Sequence, residues 1–115
     1  MPLCVFGFDA CNAQDSPIRF IDVAEQLGVT DSTIDAGFGA GVAAADYDND
    51  GDVDLYLPQR SGIADRLLQN NGFGEFVDVA ASTGIDIDAA GRSALWFDYN
   101  DDQRLDLLVA SDCFN

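Results

Sequence analysis

Apolar residues alternate with other residues in two short stretches of the chain, each of which follows an acidic segment. In the first stretch, Val53, Leu55 and Leu57 occupy every second position. A period of two is typical of a β-strand. A second stretch of the same kind covers residues 105–109. Each acidic segment is therefore predicted to join two strands.

A turn signal separates two further predicted strands. The Asn-Asn-Gly sequence at residues 70–72 tolerates positive φ angles and is typical of a hairpin turn. The flanking segments 66–69 and 75–79 are therefore the next two predicted strands. Helix is predicted only for short pieces such as residues 23–27.

The chain contains an internal repeat. Residues 91–110 are similar to residues 39–58 at an offset of 52, and residues 76–85 are similar to residues 20–29 at an offset of 56. A period of this length indicates a repeat architecture. Four short antiparallel strands per repeat describe a propeller blade better than a sandwich layer. The predicted fold class is all-β, with about two four-stranded antiparallel blades of an incomplete β-propeller.

The acidic segment 46–54 has the residue types and spacing of a calcium site. Calcium prefers six to eight hard oxygen ligands in a flexible cage. Five aspartates within nine residues would repel one another if the segment were only a solvated turn. Gly51 supplies a sharp turn, and the predicted ligands are the backbone carbonyl of Asp52 and the side chains of Asp46, Asp48, Asp50 and Asp54.

An EF-hand is the obvious competitor for this segment, because its loop begins in the same way. An EF-hand requires an acidic ligand at position 12 and continues into a helix. Position 12 is Leu57 here and Val109 in the second acidic segment. A calcium sensor of the EF-hand class is therefore not expected.

The second acidic segment, residues 98–106, is predicted to be a weaker calcium site. Gln103 replaces the glycine of the first loop, and a non-glycine residue at a positive φ is strained. Asn100 at position 3 removes one negative charge relative to the first loop, and Arg104 at position 7 adds a positive charge. The predicted ligands are the carbonyl of Arg104 and the side chains of Asp98, Asn100, Asp102 and Asp106.

The charge balance excludes several classes of function. The net charge is -16, with 21 acids against five arginines and no histidine, so nucleic acid is not an expected partner. The lack of histidine disfavours zinc sites and Ser-His-Asp catalysis. Since 48% of residues are hydrophobic, the chain is expected to fold. Two calcium ions would bring the charge from -16 to -12, so folding is expected to depend on metal.

Residues 1–17 form an N-terminal segment, and residues 18–115 contain the repeats. Cys4 and Cys11 either pair or, with Cys11 as a processing or lipid-attachment site, mark the remnant of an export signal. That segment lacks a basic region, however, and its apolar run is short. Cys113 has no obvious partner and is interpreted as a buried thiol or as a sign of truncation. No stretch reaches the length that spans a bilayer.

Several motifs together resemble FG-GAP or VCBS repeats, the blades of integrin α-chain propellers and of many secreted bacterial proteins. They are D-x-D-x-D-G-D-x-D followed by L-Y-L, the preceding G-x-G-x-A run, N-N-G-x-G-x-F and F-x-D-V-A. The sequence of residues 66–85 most resembles the cartilage acidic protein branch and its bacterial relatives. The resemblance implies a propeller of about seven blades with a calcium loop between the first two strands of each blade.

These observations predict a calcium-binding scaffold or adhesive module that is secreted or exposed at the cell surface. Its partner would be a protein or glycan held on a propeller face, and exposed strand edges and apolar blade faces favour self-association. The alternative is the propeller part of a larger secreted hydrolase or lyase. Two repeats cannot close a propeller, so the chain is expected to be a fragment. The aromatic residues are expected to pack between blades rather than stack on sugars: Tyr47, Trp96, Phe97 and Tyr99.

Overall fold

The computed structural model describes residues 18–29, 41–88 and 90–111. Residues 1–17 and all three cysteines lie outside these ranges. Helix within them is confined to two single turns, α1 (Ala24–Leu27) and α2 (Ala80–Thr83). The strands are β1 (Ala43–Ala45), β2 (Asp54–Leu57), β3 (Arg66–Asn70), β4 (Phe76–Asp78), β5 (Gly91–Phe97) and β6 (Asp106–Ser111). The prediction of an all-β fold with short helical pieces is confirmed.

The strands form two antiparallel sheets. One has four strands in the order β1-β2-β3-β4, and the other pairs β5 with β6. The acidic segments join β1 to β2 and β5 to β6, as the alternation of apolar residues predicted. The hairpin between β3 and β4 is also confirmed, and Gly72 in its turn has a φ of 75°. The described part of the chain therefore contains the predicted antiparallel sheets, and their arrangement as blades of a propeller remains a prediction.

The sequence repeat is also a repeat of strand register. In the first sheet, Ala44 lies opposite Leu55, and in the second Trp96 lies opposite Leu107. These residues are related by the offset of 52, and the same offset relates the pairs on either side of them. The second acidic loop therefore lies in the same frame as the first.

The F-x-D-V-A element starts each helical turn in the same way. The Asp22 carboxylate accepts the Ala24 N–H at 3.0 Å, and the Asp78 carboxylate accepts the Ala80 N–H at 3.1 Å. Each turn then ends at a glycine in the left-handed region, where a residue without Cβ is favoured. The aspartate of this element and the glycine that follows it therefore form the same helical turn in both repeats.

The buried face of β2 is formed by the residues between the leucines. Asp54 and Tyr56 are buried, whereas Leu55 and Leu57 are half-buried and Val53 is exposed. The period of two is thus confirmed, and the face that carries an aspartate and a tyrosine is the one that faces the core. The cluster that surrounds this face contains Ala43, Tyr56, Leu67 and Ala80.

Trp96 of β5 joins the two sheets. Its ring stacks on Tyr47 with a centroid distance of 6.0 Å and meets the Tyr56 ring edge-on at 6.3 Å. The Gly41 N–H donates to the Arg92 carbonyl at 3.0 Å beside this contact. Tyr47 and Trp96 therefore pack between the sheets, as predicted.

Phe97 and Tyr99 behave differently from the other two aromatic residues. Their rings contact each other edge-on with centroids 6.2 Å apart, and both side chains are exposed. Among the described residues, the core accordingly lies on one face of the second sheet.

Gly91 provides a test of the packing between the sheets, because an added Cβ would lie 2.6 Å from the Pro58 Cβ. Overpacking of this kind costs about 1–3 kcal/mol. Gly→Ala gains only about 0.4–1 kcal/mol through the unfolded chain. We expect Gly91→Ala to lower the free energy of unfolding in urea, whereas Ser111→Ala, at its exposed cross-strand neighbour, should change it little. Equal stability of the two variants would contradict the close contact.

Candidate metal centre

Backbone N–H groups of the first acidic loop donate to carboxylates of the same loop. The two oxygens of Asp46 accept the N–H groups of Asp50 and Gly51, each at 3.0 Å. Asp48 also accepts the Asp50 N–H, at 3.2 Å, and Asp50 accepts the Asp52 N–H at 2.9 Å. These bonds turn the aspartates at positions 1, 3 and 5 toward one side of the loop.

The second loop repeats this pattern atom for atom. Asp98 accepts the N–H groups of Asp102 at 3.1 Å and Gln103 at 2.8 Å. Asn100 accepts the Asp102 N–H at 3.2 Å, and Asp102 accepts the Arg104 N–H at 2.9 Å. Two segments with different side chains thus adopt one loop conformation.

This conformation needs positive φ angles at two positions in each loop. The first loop has them at Asn49 (61°) and Gly51 (98°), and the second at Asp101 (60°) and Gln103 (67°). Asparagine and aspartate tolerate the left-handed region, and glycine adopts it freely. The predicted positive φ at Gln103 is confirmed.

The first loop brings three carboxylates together. One oxygen each from Asp46, Asp48 and Asp50 lie within 4.8 Å of one another. Hard, anionic oxygens at this spacing match the ligand preference of calcium. The residues present therefore fit a divalent cation of this class. In the second loop, the carboxylates at positions 1 and 5 flank an amide, and the Asn100 Nδ2 donates to Asp102 at 3.0 Å.

Asp54 is positioned differently from the other predicted ligands. It is buried, and its two oxygens accept the N–H groups of Tyr47 at 3.2 Å and Asn70 at 2.8 Å. Asp106, the equivalent residue, is half-buried and accepts the Tyr99 N–H at 2.8 Å. The geometry therefore gives the position 9 aspartate a structural role in closing the loop onto the sheet.

The electrostatics of the loop favour a cation. Burial raises the pKa of the Asp54 carboxyl above its ordinary value, and the charges of Asp48 and Asp50 raise it further. The hydrogen bonds from Tyr47 and Asn70 oppose this rise. The pKa of the Tyr47 hydroxyl is raised by burial first and then by the neighbouring aspartates. Burial is the largest cause of both shifts, and the negative charges of the neighbouring aspartates add to it.

Sequence reasoning missed two residues that support the loop from β3. Gln69 Nε2 donates to the Asp48 carboxylate at 2.5 Å, and Asn70 supplies the second N–H to Asp54. Asp52 also contacts this hairpin. Its Oδ2 atom lies 2.6 Å from the position that a Cβ on Gly72 would occupy. The N-N-G motif predicts a hairpin, but its spacing from the acidic loop gives no sign of these contacts.

Asp65 was also missed. It is buried and accepts the Tyr56 hydroxyl at 2.6 Å and the Gln59 N–H at 2.5 Å. Burial, followed by this hydrogen bond, raises the pKa of the Tyr56 hydroxyl. Asp65 holds the β2–β3 connection in place and lies outside the acidic loops.

Comparison with known proteins gives a partial match. No protein-family model matches the chain. Cartilage acidic protein 1 of Xenopus tropicalis is 33% identical over 103 residues, which cover 89% of this chain. The chain spans about 15% of the length of that relative. The chain is therefore similar to one segment of a cartilage acidic protein, and the resemblance to FG-GAP or VCBS repeats remains a prediction from its motifs.

Within the described ranges, no helix has the length and apolar character needed to cross a membrane.

Gln103 allows a test of strain in the second loop. A non-glycine residue at a positive φ costs about 1–3 kcal/mol, against about 0.5–1 kcal/mol for the greater freedom of glycine in the unfolded chain. We expect Gln103→Gly to raise the free energy of unfolding by about 1 kcal/mol, as measured by urea denaturation. Gln103→Ala keeps the backbone strain and should give no such gain. Equal gains in both variants would show that the strain is absent.

Asp54 and Asp48 provide a test that separates structural from ligand roles. In calcium-free buffer, we expect Asp54→Ala to lower the free energy of unfolding by about 1–3 kcal/mol, because two N–H groups lose their acceptor. Asp48→Ala also removes hydrogen bonds, from Gln69 and from the Asp50 N–H, but both lie at the exposed surface and Asp46 still accepts the Asp50 N–H, so its loss should be smaller. The free energies of unfolding of both variants are measured by chemical denaturation after treatment with chelator. The reverse order would contradict the structural role of Asp54.

Proposed function

We propose that this chain is a calcium-binding repeat module of the β-propeller type that acts as a structural or adhesive scaffold outside the cell. One observation carries the proposal. Two acidic loops, 52 residues apart, share the same backbone hydrogen bonds, the same positive φ positions and the same strand register. A loop that recurs once in each repeat belongs to the repeated unit, and the carboxylates that it gathers are the ligand type that calcium prefers.

The role of the ion would be to brace the first two strands of each blade. Asp46, Asp48 and Asp50 supply side-chain oxygens in the first loop, and Asp98, Asn100 and Asp102 supply them in the second. The backbone carbonyls of Asp52 and Arg104 complete the predicted ligand sets, together with Asp54 and Asp106, whose carboxylates also accept the N–H groups that hold each loop to its sheet. A bound dication offsets the mutual repulsion of carboxylates that the loop fold holds together.

A scaffold role is better supported than catalysis. The sequence has no histidine. Asp65, the buried acid outside the loops, is engaged by Tyr56 and Gln59 in the core of the first sheet. No observation in the described part of the chain favours the hydrolase or lyase alternative. The protein or glycan partner would bind a face of the assembled module.

An extracellular location is supported by the chemistry of the loops and by the relative. The relative's name states that it is an acidic protein of cartilage. Calcium loops of extracellular modules can be weak, with dissociation constants of roughly 10⁻⁴–10⁻³ M, because calcium is abundant there. Loops with exposed aspartates fit this regime.

Thermal denaturation with and without calcium tests the proposal. A ligand at about 100 times its dissociation constant stabilises the folded state by about 2.7 kcal/mol. For a domain of this size, that energy corresponds to a rise in Tm of roughly 10 °C. We expect this rise on adding calcium and its reversal by chelator. The same Tm in saturating calcium and in chelator would refute the proposal.

Matched charge variants assign the effect to the loops. Asp50→Asn should remove most of the calcium-induced shift, and Asp102→Asn should remove less, because the second loop is the weaker site. Asp86→Asn removes one exposed carboxylate outside both loops and should keep the full shift. Loss of the shift in Asp86→Asn would indicate a general effect of net charge.

A further inference from the structure

The second sheet has an apolar face that nothing in the described structure covers. Leu95 and Leu108 lie opposite each other across β5 and β6 and are 57% and 54% exposed. Phe97 extends this face toward the acidic loop and is also exposed. Exposed apolar side chains that adjoin one another are typical of an interaction surface. We call these three residues the open face.

The internal repeat shows what covers the equivalent face of the first sheet. At an offset of 52, the open face corresponds to Ala43, Ala45 and Tyr56. Tyr56 is 0% exposed, because the second sheet packs against it. The residues that provide this cover come from alternate positions of β5 and β6: Ala94, Trp96, Leu107 and Val109.

The chain also carries a second version of that covering surface. At the same offset, the covering residues correspond to residues on the opposite face of the first sheet. Ala44 and Leu55 lie opposite each other in register there, and Val42 just before β1 is 58% exposed. We call this set the covering face: Val42, Ala44, Leu55 and Leu57.

The two unused faces differ in side-chain size from the joint within the chain. In that joint, Trp96 packs against the rings of Tyr47 and Tyr56. In the unused pair of faces, Ala44 stands at the position of Trp96, and Phe97 and Leu108 stand at those of Ala45 and Tyr56. The large ring of that pair would therefore come from the open face, with the small Ala44 on the covering face. Apolar cores tolerate such exchanges when the total volume is kept.

We propose that the open face binds the covering face of a second copy of this chain, in a head-to-tail arrangement. The interface is heterologous, because each copy contributes a different face. Of the two modes of self-association expected from the sequence, strand edges and apolar faces, it specifies the second and names the two faces, so side chains rather than strand backbones make the contact. The inference is independent of calcium binding.

Net charge affects the conditions under which this association appears. Each copy carries a formal charge of -16, and like charges repel over long range. At physiological ionic strength, screening limits this repulsion to about 8 Å. Association through the apolar faces should therefore strengthen as salt is raised from low concentration.

Sedimentation equilibrium of the full chain at increasing concentration tests the proposal. We expect wild type to form species larger than the 12.3 kDa monomer. Leu108→Asp blocks the open face, and Val42→Asp blocks the covering face, so each variant alone should remain monomeric. An equimolar mixture should form a dimer, because each variant retains the face that the other has lost.

Two controls make the outcomes decisive. Phe73→Asp removes an apolar residue that is 92% exposed near the β3–β4 turn and should associate like wild type. The dimer in the mixture shows that both blocked variants are folded, and circular dichroism of each confirms it separately. A monomeric wild type, a mixture that stays monomeric, or association unaffected by Leu108→Asp would each overturn the head-to-tail interface. The last result would point to pairing through strand edges.

Discussion

Backbone N–H groups of each acidic loop donate to the loop's own carboxylates, and the remaining structure depends on this closure. Asp46 accepts the two N–H groups at the turn, which returns the chain from β1 into β2. Asp54 then enters the sheet at the one register in which it reaches the N–H of Tyr47 and of Asn70. Tyr47, whose backbone is held by this hydrogen bond, stacks its ring on Trp96. The loop therefore sets the sheet and the joint between the sheets.

The same closure holds like charges close together, and a bound cation would offset their repulsion. Like charges about 4 Å apart repel by about 1 kcal/mol even in water, and by more where solvent is excluded. A hydrogen bond typically returns about 1 kcal/mol. The repulsion among three carboxylates on one side of a loop is thus about as large as the stabilisation that the backbone hydrogen bonds supply. The raised pKa of Asp54 reflects that balance, since burial and the neighbouring aspartates outweigh two donated N–H groups.

Local patterns predicted the elements, and long-range contacts decided which residues they bury. Alternation and the N-N-G turn placed strands 66–69 and 75–79, close to the observed β3 and β4. The repeat predicted the second loop, including the positive φ of Gln103. Hydropathy could not predict that Asp54 and Tyr56 face the core, because their burial depends on N–H donors and on Asp65 from other strands. The contact of Gly91 with Pro58 likewise depends on the packing of two sheets.

The two parts of the repeat differ in how closely they are specified. The loop frame depends on hydrogen bonds to particular backbone atoms, so Asp46 and Asp98 must be acceptors at the same position. The joint between sheets depends on the summed volume of apolar side chains, and different residues can supply the same sum. Trp96 can therefore stand where the first repeat has Ala44 without disturbing the register. The repeat keeps hydrogen-bond acceptors at the same loop positions, while the side chains of its apolar faces vary in size.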